Sequence, residues 1–292
     1  MIKIRNIIFI TLLYFAVISC SSINSGDTFL WRVDSENTHI YLLGSIHIGS
    51  NAMYPLDYRI MTAYDDSRSV AFEVDMVNID PVEMQKYLIY TDGTMLSDKV
   101  SAESYEKLKK IFDKYEMPEM AYASMKPWVA AITAQQLILN REGGYTGGQG
   151  IDEYFMSQAG KDSKEIRSLE TIEYQMNLFE EFSEMSDSFI QFTIDNSKST
   201  VGEVDKMIKA WREGDKKALM GFINDSKDEY PEFEGIFNKL IDVRNDNMTK
   251  KIEKWLTEER TIFVVVGAGH LIGENGIINQ LDKTGKYSIK NY

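Results

Sequence analysis

Tyr41-Leu42-Leu43-Gly44-Ser45-Ile46-His47-Ile48-Gly49 is an apolar run of β type that ends in Gly-x-x-His and a further glycine. The same plan returns near the other end of the chain as Val264-Val265-Val266-Gly267-Ala268-Gly269-His270-Leu271-Ile272-Gly273. A strand that breaks at glycine lets the backbone turn sharply and leaves the following histidine just beyond the strand's carboxyl end. In open α/β sheets that end is where ligands bind. The chain has 3 histidines, and His47 and His270 both occupy this position. One such motif reads as a core histidine beside a tight turn. Two copies place a shared ligand site beside that reading as an alternative.

Outward from the first motif, Phe29 to Val33 and His39 to Leu43 are apolar runs separated by Asp34-Ser35-Glu36-Asn37, which predicts a β-hairpin. His39 falls at the end of its strand away from His47 and takes a structural or solvent role. Tyr54-Pro55 is expected to open a helix running to about Tyr64, because proline suits a first helical turn. Ser69 to Met76 alternates as a strand that carries Glu73 at or near its end, opposite the bulky side chains. An exposed edge strand would explain that carboxylate without function, and a cation held by histidines would explain it with one.

Helical periodicity takes over from Pro81 to about Arg141, with Tyr105, Leu108, Phe112 and Tyr115 on one stripe and an apolar helix starting at Lys126-Pro127-Trp128. Gly143 to Gly150 carries five glycines in a short span but lacks a Gly-Lys-Ser/Thr ending, so it reads as a loop near a site and not as a phosphate loop. Asp152 follows in the first turn of a helix, where its charge complements the helix dipole. Lys164 to Leu169 reads as a short strand with Glu170 at its carboxyl end. A long helix through Phe237, Leu240, Ile241, Met248, Ile252 and Trp255 places Arg244 on its apolar stripe, and a buried guanidinium needs an anionic partner. Thr261 to Val266 is the most β-branched run and should be central, with Tyr287 to Lys290 as an edge strand. Gly267-x-Gly269 lacks the third glycine of a dinucleotide fingerprint, since Ile272 stands there.

These elements predict an α/β fold: a mixed central sheet drawn from about residues 28–74, 164–169 and 261–290, interrupted by a large helical insertion and helix-rich throughout. With 43% hydrophobic and 12% aromatic residues, the chain is ample for a sizeable core. Acid outnumbers base by 45 to 32, a net charge of -13, which argues against a nucleic-acid partner.

Lys3 and Arg5 precede an apolar run from Ile7 to Ile18 with the proportions of a secretory signal. The run closes on Val17-Ile18-Ser19-Cys20, which resembles the bacterial lipobox, whose cysteine is acylated and becomes the new N-terminus. Cys20 is the single cysteine, so no internal disulfide can form. The expected organisation is a signal peptide over 1–19, a Ser/Asn/Gly-rich tether over 20–27 and one domain over 28–292. The alternative is an uncleaved anchor helix. Either way the protein is expected to be exported and held at a bacterial membrane, facing outward or into the periplasm.

Leu30-Trp31-Arg32-Val33 through the first Gly-x-x-His to Tyr54-Pro55-Leu56 resembles the opening of the TraB/GumN family, to which the Tiki metalloproteases also belong. Val266-Gly267-Ala268-Gly269-His270-Leu271 resembles its closing part, and Phe72-Glu73, Lys126-Pro127-Trp128, Gly150-Ile151-Asp152, Leu169-Glu170-Thr171 and Arg244-Asn245 stand between them in the family's order. The resemblance implies a metal-dependent peptidase acting on peptides or proteins. It implies His47 and His270 as metal ligands, Glu73 as ligand or general base and Arg244 as a polar stabiliser of a developing oxyanion, with Glu170 and Asp152 as further catalytic candidates. Two imidazoles with carboxylates suit a divalent transition metal such as manganese, cobalt or zinc better than calcium. No His-Glu-x-x-His helix and no Gly-x-Ser-x-Gly elbow is present, which leaves metal-activated water as the expected hydrolytic route. The alternatives are a non-catalytic lipoprotein that binds peptide or haem, and a metal-independent esterase similar to the erythromycin esterases with histidine as base.

Overall fold

The computed structural model describes residues 26–195, 197–229 and 231–292. The expected signal segment, Cys20 and most of the tether lie outside the described residues. Within them, no helix is long and apolar enough to cross a membrane.

One sheet of six strands organises the fold. β1 (Leu30–Asp34), β2 (His39–Ser45), β3 (Ser69–Phe72), β4 (Glu165–Ser168), β5 (Ile262–Gly267) and β6 (Ser288–Asn291) lie in the order β4-β3-β5-β2-β1-β6. The expected hairpin forms, β1 pairing antiparallel with β2, and β6 closes the far side antiparallel to β1. β4, β3, β5 and β2 run parallel, in a register that sets Phe72 beside both Ser168 and Val265 and Ser45 beside Gly267. Their carboxyl ends therefore finish close together on one rim. β5 is central, as its β-branched composition predicts, and Ile262 to Val266 are buried on both faces.

Parallel neighbours need crossovers, and helices supply them. α1 (Tyr58–Asp66) joins β2 to β3. α2 (Pro81–Leu88), α3 (Ala102–Lys114), α4 (Glu119–Tyr122), α5 (Pro127–Gly143) and α6 (Ile151–Lys161) lie between β3 and β4. α7 (Ile172–Glu180), α8 (Ser186–Asp195), α9 (Ser197–Arg212), α10 (Lys216–Glu229), α11 (Glu234–Asn238) and α12 (Arg244–Trp255) lie between β4 and β5. α13 (Ala268–Leu271) and α14 (Ile277–Lys283) follow β5. The helical insertion builds a core of its own, in which Leu108 and Phe112 of α3 and Trp128 and Ala134 of α5 meet Phe182, Phe189 and Phe233. Phe112 stacks on Tyr122 with ring centroids 4.3 Å apart in this core, Tyr105 packs against it partly buried, and Tyr115 of the expected stripe lies outside it with its hydroxyl on Glu142.

Four local expectations are corrected. The helix predicted from Tyr54-Pro55 begins at Tyr58, because the Asp57 carboxylate accepts from the Arg59 N–H at 2.9 Å and caps the helix there. The strand predicted over Ser69–Met76 ends at Phe72, so Glu73 follows the strand, and Met76 is 50% exposed. The edge explanation for Glu73 also fails, since β3 is flanked by β4 and β5 and all four of its residues are buried. The long helix through Arg244 is interrupted by a π-helical turn at Lys239–Val243, immediately before Arg244.

Candidate active site

The two Gly-x-x-His turns interlock. A Cβ on Gly44 would come within 2.9 Å of the Ala268 Cα, so the bare glycine of the first motif is what lets the second lie against it. Gly267 marks the centre of the resulting cluster. A Cβ there would sit 3.4 Å from Glu73 Oε1, 3.5 Å from His270 Cδ2 and 3.6 Å from His47 Nε2. Both histidines and Glu73 thus surround one point at the sheet's carboxyl rim, delivered by β2, β5 and β3. The Gly267 N–H donates to Glu73 Oε1 at 2.8 Å, and that oxygen lies 3.9 Å from His270 Nε2.

Each imidazole is held from behind. The Asp152 carboxylate can only accept, so its 2.8 Å contact with His47 Nδ1 puts the proton on Nδ1 and leaves Nε2 toward Gly267. Ser45, inside the first motif, donates its hydroxyl to the other Asp152 oxygen at 2.7 Å. Asp152 reaches the site because the glycine-rich loop is anchored there: Gly49 and Thr146 exchange backbone hydrogen bonds of 3.1 Å, and the Ile151 N–H donates to Ile46 O at 3.0 Å. The glycine-rich loop thus packs against the first Gly-x-x-His motif. His270 is buried, and its Nδ1 lies 2.7 Å from Asn245 Oδ1.

Behind Glu73 stands a buried charge network. Arg244 Nε lies 3.0 Å from both Glu170 oxygens and its Nη2 is 2.8 Å from Glu170 Oε2, while Nη2 also donates to Glu73 Oε2. Nη1 donates to Leu240 O at 3.2 Å, inside the π turn, where the Arg244 N–H binds Ile241 O instead. Gln175 of α7 donates to Glu170 at 2.9 Å and to Glu73 at 3.2 Å. The anionic partner that a buried Arg244 needs is therefore present twice, as Glu73 and Glu170. Arg244 has Nε, Nη1 and Nη2 engaged within the protein, and Glu170 accepts from Arg244 and Gln175. Both lie against Glu73, Arg244 donating to its carboxylate and the Glu170 N–H to its backbone carbonyl at 2.7 Å.

The charges follow from these neighbours. Asp152, chiefly through its charge, raises the His47 imidazole from 6.5 to about 9. The His47 side chain stands 65% exposed at the mouth of the site. Burial lowers His270 to about 4 against the pull of Glu73, so His270 is neutral at ordinary pH. Burial alone would push the Glu73 carboxyl up, but His270, Arg244, His47 and the Gly267 N–H outweigh it and hold it well below the usual carboxylate range. Burial also works against the Arg244 charge, and Glu73 and Glu170 more than restore it.

For a divalent transition metal, two Nε2 atoms and one carboxylate are a suitable donor set, and both imidazoles carry the Nδ1 partners that orient metal-ligating histidines. As they stand, no group of three or more His, Cys, Asp or Glu among the described residues closes to ligand spacing. The set fits in chemistry and orientation, with its mouth open at His47. His39 is remote from it, paired with Asp66 at 3.0 Å. Sequence reasoning missed Ser45 and Gln175 as members and took Asn245 only as a landmark. Ser45 lies within the motif that was read, whereas Gln175 carries no local signal.

A model of the TraB/PrgY/gumN family matches residues 29–289. The uncharacterized protein YbaP of Escherichia coli (strain K12) is 22% identical over 250 residues, spanning 84% of this chain and 88% of that protein. Metalloprotease TIKI2 of Xenopus tropicalis is 23% identical over 313 residues, spanning 89% of this chain and 59% of the relative. No solved structure matches.

Proposed function

Since the chain belongs to the TraB/PrgY/gumN family, we propose that it is a metal-dependent hydrolase of peptide bonds that works outside the cytoplasm, tethered to a membrane by lipid on Cys20. The observation that carries the catalytic part is the meeting of His47, His270 and Glu73 around Gly267. The similarity to a metalloprotease supports the choice of peptide or protein as substrate. The short apolar run closing on Cys20 supports the tether.

His47, His270 and Glu73 would hold the metal, with manganese, cobalt and zinc as the ions suited to the donor set. Such an ion supplies Lewis acidity, which acidifies water and polarises a scissile carbonyl. The residues do the rest. Asp152, itself held by Ser45, fixes the His47 ring so that Nε2 faces the site. Glu73 is kept ionised by Arg244 and the Gly267 N–H, as a carboxylate ligand must be, and where it stays off the metal the same ionised group would serve as general base. Arg244 and Gln175 hold Glu73 at that position and keep its carboxylate from rotating away.

A digest of a peptide library with added manganese, cobalt or zinc tests this reading. Cleavage that needs metal and disappears in His47→Ala is expected, and tight peptide binding without turnover under every metal would leave a sequestering protein in its place. One observation favours a second reading. The Asp152-His47 pair, on a His47 side chain that is itself exposed, is also the arrangement of a histidine base, as in a metal-independent esterase. Ester hydrolysis that survives chelation and depends on His47 would select it.

A further inference from the structure

The two imidazoles of the site are held by different chemistry, His47 by a carboxylate and His270 by a neutral amide. The amide has no freedom to turn. Asn245 Nδ2 lies 2.9 Å from the backbone carbonyl of Asn275, which can only accept, so the NH2 group must point there and Oδ1 must point at His270. An amide oxygen also only accepts. The proton on the neutral His270 ring is therefore on Nδ1, and Nε2, 3.9 Å from Glu73 Oε1, carries the lone pair.

We propose that Asn245 is a positioning residue that sets the tautomer and ring orientation of His270, with the backbone carbonyl of Asn275 as its anchor. The surroundings are built for it. Asn245 is 1% exposed, its neighbour Arg244 grips Glu73 and Glu170, and the π turn just before them sets the register in which consecutive side chains reach two different strand ends. The anchor is fixed as well. Gln280 Nε2 donates to the same Asn275 carbonyl at 2.9 Å. The turn that presents it closes at Gly276, where a Cβ would come within 2.3 Å of Ile272 O. One short α-helical start thus serves both the carboxylate and the second histidine of the site.

The consequence for metal binding rests on the reading of His270 as a ligand; the consequence for the tautomer does not. The test uses the full chain, selectively labelled at histidine, compared as wild type, Asn245→Asp and Asn245→Leu. Asn245→Asp keeps the acceptor facing Nδ1, and Asn245→Leu removes it at similar volume. Imidazole nitrogen and carbon shifts of metal-free protein, read above pH 9 so that the carboxylate added in Asn245→Asp does not keep a second proton on the ring as Asp152 does on His47, should show His270 as the Nδ1–H tautomer in wild type and Asn245→Asp, and a shift toward Nε2–H in Asn245→Leu. Cobalt(II) affinity should fall about 10- to 100-fold in Asn245→Leu and recover to within a few-fold in Asn245→Asp. An Nε2–H tautomer in wild type, or a folded Asn245→Leu with an unchanged tautomer, would overturn the proposal. Should Asn245→Leu not fold, the tautomers of wild type and Asn245→Asp still decide it. Wild type that binds no cobalt(II) while showing the Nδ1–H tautomer would remove the metal reading and leave the role of Asn245 standing.

Discussion

The carboxylate of Asp152 stands 2.8 Å from Nδ1 of His47, although 105 residues separate them in the chain. The contact exists because the start of α6 is laid against the end of β2 by the glycine-rich loop, whose Thr146 pairs with Gly49. Asp152 sits in the first turn of its helix, so the charge that suits the helix dipole is also the charge that orients the histidine.

Asp152→Asn keeps the shape of that contact and removes its charge. In metal-free protein the His47 titration, followed by NMR, is expected to drop from about 9 toward 6.5. The sign is that of a raised folded pKa: the pairing contributes stability fully below 6.5 and loses it as pH rises through about 9. Asp152→Asn should therefore lower stability at pH 6 and leave it unchanged at pH 10. A His47 midpoint unaffected by the substitution would contradict the assignment.

Arg244→Lys retains a charge but not the planar fork that reaches Glu73, Glu170 and Leu240 O together. Buried carboxylates left short of donors cost about 1.5–3 kcal/mol for each charged hydrogen bond lost. Urea denaturation should show a loss of about 2 kcal/mol or more. A variant as stable as wild type would mean that Glu73 and Glu170 find other partners.

Gly44 and Gly267 should respond differently to the same methyl group. Gly44→Ala drives its Cβ to within 2.9 Å of Ala268 Cα and is expected to destabilise the fold by about 1–3 kcal/mol. Gly267→Ala meets nothing closer than 3.4 Å, so the fold should hold. Its methyl would stand among Glu73, His270 and His47, and activity should fall by at least tenfold. Equal thermal stability of the two variants, or a fully active Gly267→Ala, would count against the geometry described.

Lipid attachment is predicted at Cys20, on the sequence Val17-Ile18-Ser19-Cys20. Mass spectrometry of the mature N-terminus from the native cell should find diacylglycerol on that cysteine. An N-terminus that retains Met1, or an unmodified Cys20, would end the lipoprotein reading.

Much of this architecture was legible in the sequence because backbone chemistry writes itself locally. The β-branched run at 261–266 could only be a buried strand, and the paired Gly-x-x-His turns placed both histidines at strand ends before any contact was known. Arg244 on an apolar stripe required acids, and Glu73 and Glu170 are those acids. The start of α1 was misplaced because the Asp57 cap outweighs proline's preference for a first turn. Ser45, Gln175 and Asn245 escaped for another reason. A polar residue on a strand or helix has no periodicity that says which distant carbonyl or carboxylate it will meet, and their roles exist only once β2, β5, α7 and α12 are brought together.

The central claim is that His47, His270 and Glu73 act as one metal site. Elemental analysis of protein purified without chelator measures it most directly, on wild type and on folded His47→Ala and His270→Ala. The account predicts about one equivalent of a transition metal in wild type and its loss in each variant. Wild type free of metal after cobalt(II), manganese or zinc has been offered, or variants that retain the ion, would contradict it.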